Sequence, residues 1–432
     1  MTDAAEKNLR GTGVYIKSFV VAFVSFLSLV LSACGDDEGP DGSNEPPVVV
    51  LPKSPCPPLP LVQEFVRRDG HQLRIGNNLM RAFGTNLYYL QQMYAYGERG
   101  DAQQASVATE ALDHALCLGM SVIRMWGFND SADSNDRADS AAIRNAPAEF
   151  RERGLRGLDR AVSEAKARGL RVVLTLVNNW EHYGGLPAYA RWAGKSEDAF
   201  FGDAEMMGYW KDYASMLVNR INVYTGIRYK DEPAILAWEL GNEFRCKACV
   251  GTSRVIDTVR ALAQHIKQAD PNHLISDGGE GFDDAPSLYK GLSNQYPVAG
   301  HEGLSYSRAL QIEEIDLASY HFYPAAWGLK SKKDVAVWID SHEVLAKMAG
   351  KVPYLGEFGD APLPLEMRDA RRAEIYRGWL ERLFDHNNAS ISTQWQVIPS
   401  SRKIVSNDGY EVVYGEDLFT STTLLQRATK VR

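Results

Sequence analysis

The sequence has no excess of basic residues, because 47 Lys and Arg stand against 55 Asp and Glu, giving a formal net charge of -8 over 432 residues. Nucleic-acid-binding proteins normally carry a basic patch or stripe, so this balance argues against a nucleic-acid partner. The chain also lacks the composition of disordered, collagen-like or coiled-coil proteins, since 45% of its residues are hydrophobic and 24% are charged. A large globular core is therefore expected.

The apolar run near the N-terminus is too short for a membrane span, since residues 19–31 supply about 13 residues and a transmembrane helix needs about 20. Basic residues precede the run and small residues follow it, which predicts an export signal over residues 1–33. Leu31-Ser32-Ala33-Cys34 resembles the lipobox of bacterial lipoproteins, which implies lipidation of Cys34. A plain secretory signal with an incidental cysteine is the alternative.

Residues 34–60 are acidic and then rich in proline, a composition that cannot bury enough apolar surface to fold. We expect an extended tether that holds the rest of the chain away from a membrane. The predicted location is the cell envelope, facing the periplasm or the cell surface. Neither an internal repeat nor a second composition shift follows, so residues 61–432 are expected to form one domain.

Cysteine is scarce, with five residues in the whole chain. Without Cys34 an even number remains, which indicates disulfides in an oxidising compartment. Cys246 and Cys249 form one candidate bridge, and elimination would then pair Cys56 with Cys117. A zinc site would need more ligands than one C-x-x-C supplies, and a redox motif would be expected in a thioredoxin-sized domain.

Short β-like runs alternate with amphipathic stretches along the rest of the chain. The predicted strands are 81–86, 121–126, 171–177, 235–241, 273–277, 315–321, 352–357 and 391–396. The predicted helices are 105–118, 154–168, 209–225, 252–268, 334–348 and 368–384. Eight such units predict the α/β class, a (β/α)₈ TIM barrel. A hairpin of residues 65–68 and 72–75 across Asp69-Gly70 would cap the barrel bottom.

Two carboxylates follow predicted strands of this barrel. Glu243 comes shortly after the fourth strand and Glu357 ends the seventh. Strands four and seven are nearly opposite, and active sites of this fold lie at the C-terminal ends of the strands. A retaining glycosidase needs one carboxyl group to protonate the leaving oxygen and another, about 5–5.5 Å away, to attack the sugar. The pair therefore predicts a glycosidase site.

Several segments in the same order resemble glycoside hydrolase family 5, and more narrowly its β-mannanases. The resemblance extends over about residues 64–395. It rests on Arg124-Met125-Trp126-Gly127-Phe128-Asn129-Asp130, Asn178-Asn179-Trp180, Ala237-Trp238-Glu239-Leu240-Gly241-Asn242-Glu243, Ser319-Tyr320-His321-Phe322-Tyr323-Pro324, Leu355-Gly356-Glu357-Phe358-Gly359 and Gln394-Trp395-Gln396. Residues 245–249 are similar to a cysteine-bridged loop of fungal members.

The resemblance implies a role for each matching position. Glu243 would be the acid/base and Glu357 the nucleophile, with Arg124 and Tyr323 keeping Glu357 ionised. Asn242 would donate to the sugar 2-hydroxyl and to the nucleophile, His321 would orient the acid/base or a substrate hydroxyl, and Trp395 would lie beneath the sugar in the −1 subsite. Trp126, Asn179, Trp180 and Trp327 are further substrate-binding candidates, whereas Trp238 and Trp210 are expected in the core.

The chain departs from the family pattern at two positions. Phe244 follows Glu243 where the family usually has proline, whose fixed φ shapes the turn that aims the acid/base. Gln394 precedes Trp395 where an aromatic residue is usual. The first departure bears on the reaction rate or the fit of the leaving group, and the second on the floor of the −1 subsite.

We expect a retaining, monomeric enzyme that cleaves β-1,4-mannosidic bonds in mannan, glucomannan or galactomannan, with no metal or cofactor. Three alternatives stay open: a β-1,4-glucanase of the same family, an exo-acting β-mannosidase, and a non-catalytic glycan-binding lipoprotein on the surface. The long connections 178–203, 278–311 and 397–416 bear on the choice between endo and exo action. Loops after the fifth and eighth strands would favour exo action if they closed one end of the cleft.

Overall fold

The computed structural model describes residues 50–130, 141–329, 331–360, 365–402 and 408–432. The predicted signal peptide, the predicted lipidation site Cys34 and most of the predicted tether lie outside these residues. None of the described helices is both long and apolar enough to cross a membrane.

Eight parallel strands form a closed barrel, which confirms the predicted (β/α)₈ fold. In barrel order these strands are β4 (Ala82–Asn86), β5 (Val122–Trp126), β8 (Arg171–Thr175), β9 (Ile235–Glu239), β10 (Leu274–Ser276), β11 (Leu317–Phe322), β12 (Val352–Phe358) and β13 (Ile391–Gln394), which returns to β4. Each coincides with one of the predicted strands. Every residue of β4, β5 and β8 is buried, as expected for parallel strands covered on both faces.

Helices surround the barrel. They are α1 (Leu90–Glu98), α2 (Ala102–Cys117), α3 (Glu152–Ala167), α4 (Gly185–Ala193), α5 (Ala204–Asn219), α6 (Arg254–Ala269), α7 (Tyr306–Ala309), α8 (Lys332–Met348), α9 (Leu365–Leu380) and α10 (Leu418–Val431). The six predicted helices match α2, α3, α5, α6, α8 and α9, whereas α1, α4, α7 and α10 were not predicted. Side-chain caps begin several of them, including Asp101, Asp203 and the Ser331–Asp334 capping box.

The predicted hairpin is present and has a third strand. Strands β1 (Val66–Asp69), β2 (Gln72–Ile75) and β3 (Asn78–Met80) form an antiparallel sheet. Arg68 donates to Asp316 just before β11 at 2.8 Å and to the Gly350 carbonyl just before β12 at 2.7 Å. These contacts place the sheet at the N-terminal ends of the barrel strands, as predicted. The short pairs β6 (Arg144–Ala146) with β7 (Glu149–Phe150) and β14 (Val397–Ile398) with β15 (Val412–Val413) complete the strands.

The barrel interior changes from apolar to polar along each strand. On β8, Val173 belongs to the apolar cluster inside the barrel, while its neighbours Val172 and Leu174 pack toward the helices. Two residues further along the interior face, Thr175 donates to the buried carboxylate of Glu239 at 2.8 Å. The polar layer therefore lies above the apolar core, at the C-terminal ends of the strands where the candidate site is built.

The segment before β1 is attached to the barrel surface. Cys56 is bonded to Cys117 at the end of α2, and the Leu59 amide donates to the Arg168 carbonyl at 3.0 Å. A disulfide and a backbone hydrogen bond therefore hold Cys56 and Leu59, at the end of the predicted tether, against the fold. Both predicted disulfides, this one and Cys246–Cys249, are present. The described residues form one compact unit.

Candidate active site

A cleft of about 620 Å³ opens at the C-terminal ends of the barrel strands. Eight of the predicted site residues line it: Trp126, Trp180, Asn242, Glu243, Tyr323, Trp327, Glu357 and Trp395. Two more, Arg124 and His321, are fully buried beneath it and contact its carboxylates. The sequence prediction therefore brought together ten residues that lie at one site.

Glu357 lies within strand β12, at an irregularity in the pairing with β11. Tyr320 pairs with Leu355 and the next residue, His321, pairs with Glu357, so one residue of β12 is left over at Gly356. A bulge of this kind re-aims the side chains that follow it. It places His321 directly beside Glu357, and a Cβ on Gly356 would lie 3.2 Å from His321 Nε2.

Glu243 lies in the turn after β9, with a left-handed backbone conformation (φ 55°). Its amide donates to the Gly278 carbonyl at 2.9 Å, which fixes the turn. Phe244, where the family usually has proline, is buried and packs against Phe200 and Phe201 with centroid distances of 5.7 and 5.6 Å. An aromatic anchor thus holds the turn that proline would otherwise stiffen.

The two carboxylates approach each other across the cleft. One oxygen of Glu243, one of Glu357 and a ring nitrogen of His321 lie within 4.8 Å of one another. This is close to the separation of retaining glycosidases and shorter than the 6.5–9.5 Å of inverting ones. The three groups have the spacing of metal ligands, but acid/base and nucleophilic chemistry at a glycosidic bond uses the carboxylates themselves.

The nucleophile candidate Glu357 is held by two donors. Arg124 Nη1 donates to Glu357 Oε1 at 2.5 Å, and Tyr323 Oη donates to Oε2 at 2.7 Å. Burial raises the pKa of Glu357, while His321, Arg124 and Tyr323 oppose that rise. Arg124 and Tyr323 therefore both contact Glu357 and favour the ionised carboxylate that nucleophilic attack requires.

The acid/base candidate Glu243 is hydrogen-bonded to His321. His321 Nδ1 lies 2.7 Å from Glu243 Oε1, and Trp180 Nε1 donates to Oε2 at 2.8 Å. Burial would raise the pKa of Glu243, but the hydrogen bond and charge of His321, together with the hydrogen bond from Trp180, outweigh it and lower the pKa below its usual value. The pKa of His321 is raised by Glu357 and Glu243 despite its burial. A proton on His321 Nδ1 is thus one short transfer from the carboxylate that must deliver it.

Arg124 organises the polar layer beneath the cleft. Its Nε donates to Glu239 at 2.8 Å and its Nη2 to Asn242 Oδ1 at 2.7 Å. Asn242 Nδ2 in turn donates to Asn178 Oδ1 at 3.0 Å, whereas the predicted donation from Asn242 to Glu357 is not observed. The prediction misassigned this contact because the fork of Arg124 lies between the two side chains and supplies the nucleophile's donor itself.

Trp395 forms an aromatic wall of the cleft together with a second ring. Its indole stacks on Tyr88 with a centroid distance of 5.2 Å and an interplanar angle of 8°. Its Nε1 donates to Asp408 Oδ2 at 2.9 Å. Gln394, where an aromatic residue is usual, is buried within the strand. The orientation of Trp395 therefore depends on Tyr88 and Asp408.

The remaining candidates divide between cleft and core. Trp126 and Trp327 are almost buried but line the cleft, and Trp180 is 39% exposed there. Asn179 does not line the cleft, because its Oδ1 accepts from the Arg245 amide at 2.9 Å; its neighbour Asn178 lines it instead. The core assignments are confirmed, since Trp210 and Trp238 are fully buried.

The Cys246–Cys249 bridge lies next to a buried ion pair. Arg245 donates through Nε and Nη2 to both oxygens of Glu280, each at 2.6 Å, and its guanidinium lies 5.2 Å from the centroid of Trp180. Burial and the nearby Glu243 raise the pKa of Glu280 despite its pairing with Arg245. The bridged loop therefore supports a charged cluster immediately behind the acid/base.

Nine further residues line the cleft that were not among the candidates predicted from the sequence. They are Tyr88, Gln92, Asn178, His182, Tyr183, Glu280, Ala326, Asp408 and Tyr410. Asn178 stands inside a motif that carries the family resemblance, so its position next to the candidates Asn179 and Trp180 was an available signal. Asp408 and Tyr410 lie in the long connection after β13, where no local pattern distinguishes them.

Comparisons of the sequence and of the structure with known proteins both find β-mannanases. Residues 63–350 match the model of the family described as GH family 5 beta-mannosidase-like. The chain is 30% identical to mannan endo-1,4-beta-mannosidase 1 of Oryza sativa subsp. japonica over 85% of this chain and 86% of the relative. It is also 30% identical to mannan endo-1,4-beta-mannosidase F of Aspergillus clavatus, over 82% and 76%. The solved endo-beta-1,4-mannanase of Thermotoga petrophila superposes with a TM-score of 0.71 at 30% identity, over 82% of this chain and 77% of that one.

Proposed function

Because this chain belongs to glycoside hydrolase family 5, in its β-mannosidase-like group, we propose that it is an endo-acting glycosidase that hydrolyses β-1,4-mannosidic bonds. The observation that carries this proposal is the placement of Glu243 and Glu357 on opposite sides of one cleft, with carboxylate oxygens within 4.8 Å. Relatives that are named endo-mannosidases and cover most of the chain support the substrate and the internal mode of cleavage.

The first chemical step forms a covalent glycosyl-enzyme. Glu357 attacks the anomeric carbon of the sugar in the −1 subsite, while Glu243 gives its proton to the glycosidic oxygen and the leaving sugar departs. Arg124 and Tyr323 hold the attacking carboxylate in its ionised form. His321 contacts both carboxylates, at 2.7 Å from Glu243 and 3.7 Å from Glu357. It therefore holds the two side chains in position relative to each other.

The second step releases the sugar. Glu243, now ionised, takes a proton from a water molecule, which attacks the anomeric carbon and breaks the ester bond to Glu357. Donation from Trp180 to Glu243 stabilises the ionised form that this step needs. Two inversions at one carbon leave its configuration unchanged, so the proposal requires retention.

Product analysis on mannohexaose tests the substrate and the mode of attack. An endo enzyme releases several short oligosaccharides at early times, whereas an exo enzyme releases mannose or mannobiose alone. Cellohexaose is tested under the same conditions. Faster hydrolysis of cellohexaose than of mannohexaose would show that the enzyme is a glucanase rather than a mannanase. Binding to mannan without turnover would indicate a glycan-binding protein. The Glu357→Gln variant controls for contaminating activity.

The stereochemistry has its own test. Proton NMR during the first minutes should show the β-anomer of the new reducing end before mutarotation. An initial α-anomer would overturn the retaining mechanism while leaving the substrate assignment intact.

We propose, from the sequence features alone, that the protein is exported and anchored to the cell envelope through a lipid on Cys34, as a monomer. The basic segment, the short apolar run and Leu31-Ser32-Ala33-Cys34 support this proposal. The Cys34→Ala variant, expressed in a bacterial host, should move from the membrane fraction to a soluble fraction. An unchanged distribution would show that Cys34 carries no anchor.

A further inference from the structure

One wall of the cleft is formed by a short segment, Asp408 to Tyr410, that follows β14 in the chain. Asp408 and Tyr410 both line the cleft. Asp408 is fixed in place by the hydrogen bond that Trp395 Nε1 donates to its Oδ2 at 2.9 Å. The Tyr410 ring packs edge-on against Tyr323 with a centroid distance of 5.2 Å. The segment is therefore built into the site rather than lying loosely above it.

The backbone of this segment is held from behind by a second carboxylate. Glu411 accepts from the amides of Asp408 at 2.9 Å and Gly409 at 3.0 Å. The Glu411 carbonyl accepts from Arg372, which is buried and pairs with Asp417 at 3.0 Å. The position of Asp408 is thus set by contacts on both sides of the segment.

The contacts also show on which side of the scissile bond Asp408 lies. Glu243 protonates the leaving oxygen, so Trp180, which donates to Glu243, marks the side of the leaving sugar. Asp408 is instead bonded to Trp395, the platform for the sugar that Glu357 attacks. Tyr410 packs on Tyr323, which itself donates to Glu357. Asp408 therefore belongs to the glycon side.

Asp408 has acceptor capacity left for a ligand. An ionised carboxylate can accept about four hydrogen bonds. Trp395 Nε1 and the Tyr410 amide, at 2.9 and 3.0 Å, donate to it, and a side-chain hydrogen bond with Glu411 occupies a further position. Within the described part of the chain, no lysine or arginine pairs with it, and its side chain is exposed to the cleft. A charged acceptor with free lone pairs is suited to neighbouring hydroxyl groups of a sugar.

We propose that Asp408 is a substrate-recognition residue of the glycon side, which accepts hydrogen bonds from the hydroxyl groups of a neutral hexose in the −2 subsite. Glu357, Asn242 and Tyr323 already surround the −1 subsite, so we assign Asp408, which is bonded to the N–H edge of Trp395, to the next sugar. Its charge also disfavours an acidic sugar at that position. This inference rests on the proposed function, because the subsites are defined by the catalytic pair.

Two substrates with the same leaving group test it. The p-nitrophenyl β-mannoside fills only the −1 subsite on the glycon side, and the p-nitrophenyl β-1,4-mannobioside fills −1 and −2. The ratio of their kcat/KM values isolates the contribution of the second sugar. Asp408→Asn keeps an oxygen for the Trp395 N–H but removes the charge, and Asp408→Ala removes both. Asp69→Asn, an exposed carboxylate at the opposite end of the barrel, is the matched control.

We expect the mannobioside-to-mannoside ratio to fall about threefold to tenfold in Asp408→Asn and further in Asp408→Ala, with no change in Asp69→Asn. Equal losses on both substrates would overturn the proposal, since Asp408 would then act only by holding Trp395. An unchanged ratio would overturn it as well. Failure of the proposed function would differ from failure of this inference. The unaltered enzyme would then hydrolyse neither the mannosides nor mannohexaose, before any variant is compared.

Discussion

The indole N–H of Trp180 donates to Glu243 Oε2 at 2.8 Å, so a side chain predicted to bind substrate also holds the acid/base. The Arg245 guanidinium lies over the same indole, 5.2 Å from the centroid of the Trp180 ring. The indole thus connects the catalytic carboxylate with the charged cluster behind it. A purely stacking role would need only the face of the ring, whereas this contact uses its edge.

Replacing Trp180 by phenylalanine should separate the two roles. Donation from Trp180 lowers the pKa of Glu243, so its loss raises that pKa and Glu243 keeps its proton to higher pH. We expect the alkaline limb of the kcat/KM profile to move up by at most about one pH unit, given the partial exposure of the ring.

Trp192→Phe is the matched control for this experiment. Trp192 Nε1 donates to the Asn145 carbonyl at 3.1 Å and does not line the cleft. Its replacement should leave the alkaline limb in place. A pH profile that Trp180→Phe also leaves unchanged would show that the N–H does not tune the acid/base.

The two carboxylates can be told apart by chemical rescue with azide, a small anionic nucleophile. In Glu357→Ala, azide should attack from the face that the carboxylate has vacated and give the α-mannosyl azide. In Glu243→Ala, the glycosyl-enzyme still forms from a substrate with a good leaving group, and azide should give the β-mannosyl azide. The anomeric configuration is read by NMR.

Both alanine variants should lose several orders of magnitude in turnover on mannohexaose, because each removes a group that contacts the reacting atoms. Their thermal unfolding should stay close to that of the unaltered protein. The reverse pairing of variant and azide configuration would exchange the assignments of nucleophile and acid/base.

The fold and the meeting of Glu243 and Glu357 in one cleft could be predicted from sequence because their signals are local and repeated. Each buried barrel strand is a short apolar run followed by a longer helical stretch, and eight such units admit few arrangements. Glu243 and Glu357 stand at strand ends, where this topology collects side chains into one cleft. Arg124 and His321 occupy strand positions too, and the structure places them beneath the same cleft.

Other features depend on contacts between distant segments. The bulge that sets His321 beside Glu357 is a property of the pairing of two strands and leaves no mark in either strand alone. Asp408 reaches Trp395 because Glu411 folds the connection by binding two of its amides. Asn179 was preferred to Asn178 because adjacent residues of a loop cannot be assigned to the cleft or the interior without the backbone path.

The two disulfides should differ in what they stabilise. Cys56–Cys117 closes a loop with a sequence separation of 61, and the chain-entropy relation gives it about 4 kcal/mol of stabilisation. Cys246–Cys249, with a separation of 3, is expected by the same relation to contribute less than half as much, about 1.6 kcal/mol. Removing the first with a Cys56→Ala, Cys117→Ala double variant should lower the unfolding free energy with little effect on kcat.

The Cys246→Ala, Cys249→Ala double variant should show the opposite balance. Its loop carries Arg245, which holds Glu280 behind the acid/base, so we expect a lower kcat and a smaller loss of stability. Denaturant unfolding and steady-state kinetics on both double variants make the comparison. Identical kinetics in the two variants would show that the short bridge does not support the catalytic loop.

Asp277 provides a test of buried charge away from the reacting atoms. It is 9% exposed, and burial, with a smaller contribution from Glu239, raises its pKa from 3.8 to about 7. The folded protein therefore holds a proton on Asp277 that the unfolded chain has lost, so this residue makes the fold less stable as the pH rises from about 4 to 7. Asp277→Asn removes the titration, and its Oδ1 can still accept from the Ser319 amide.

The stability gain from Asp277→Asn should therefore grow between pH 5 and pH 8, toward an upper bound of about 4 kcal/mol. Asp334→Asn is the contrasting control, because hydrogen bonds from Ser331 and Ser293 outweigh burial and lower the pKa of Asp334 to about 2. Asp334 is ionised in both the folded and the unfolded chain above pH 5, so the loss from its replacement should not vary across this range. Equal effects of Asp277→Asn at pH 5 and pH 8 would mean that Asp277 is ionised in the folded protein, and that the polar layer around Ser319 solvates its charge.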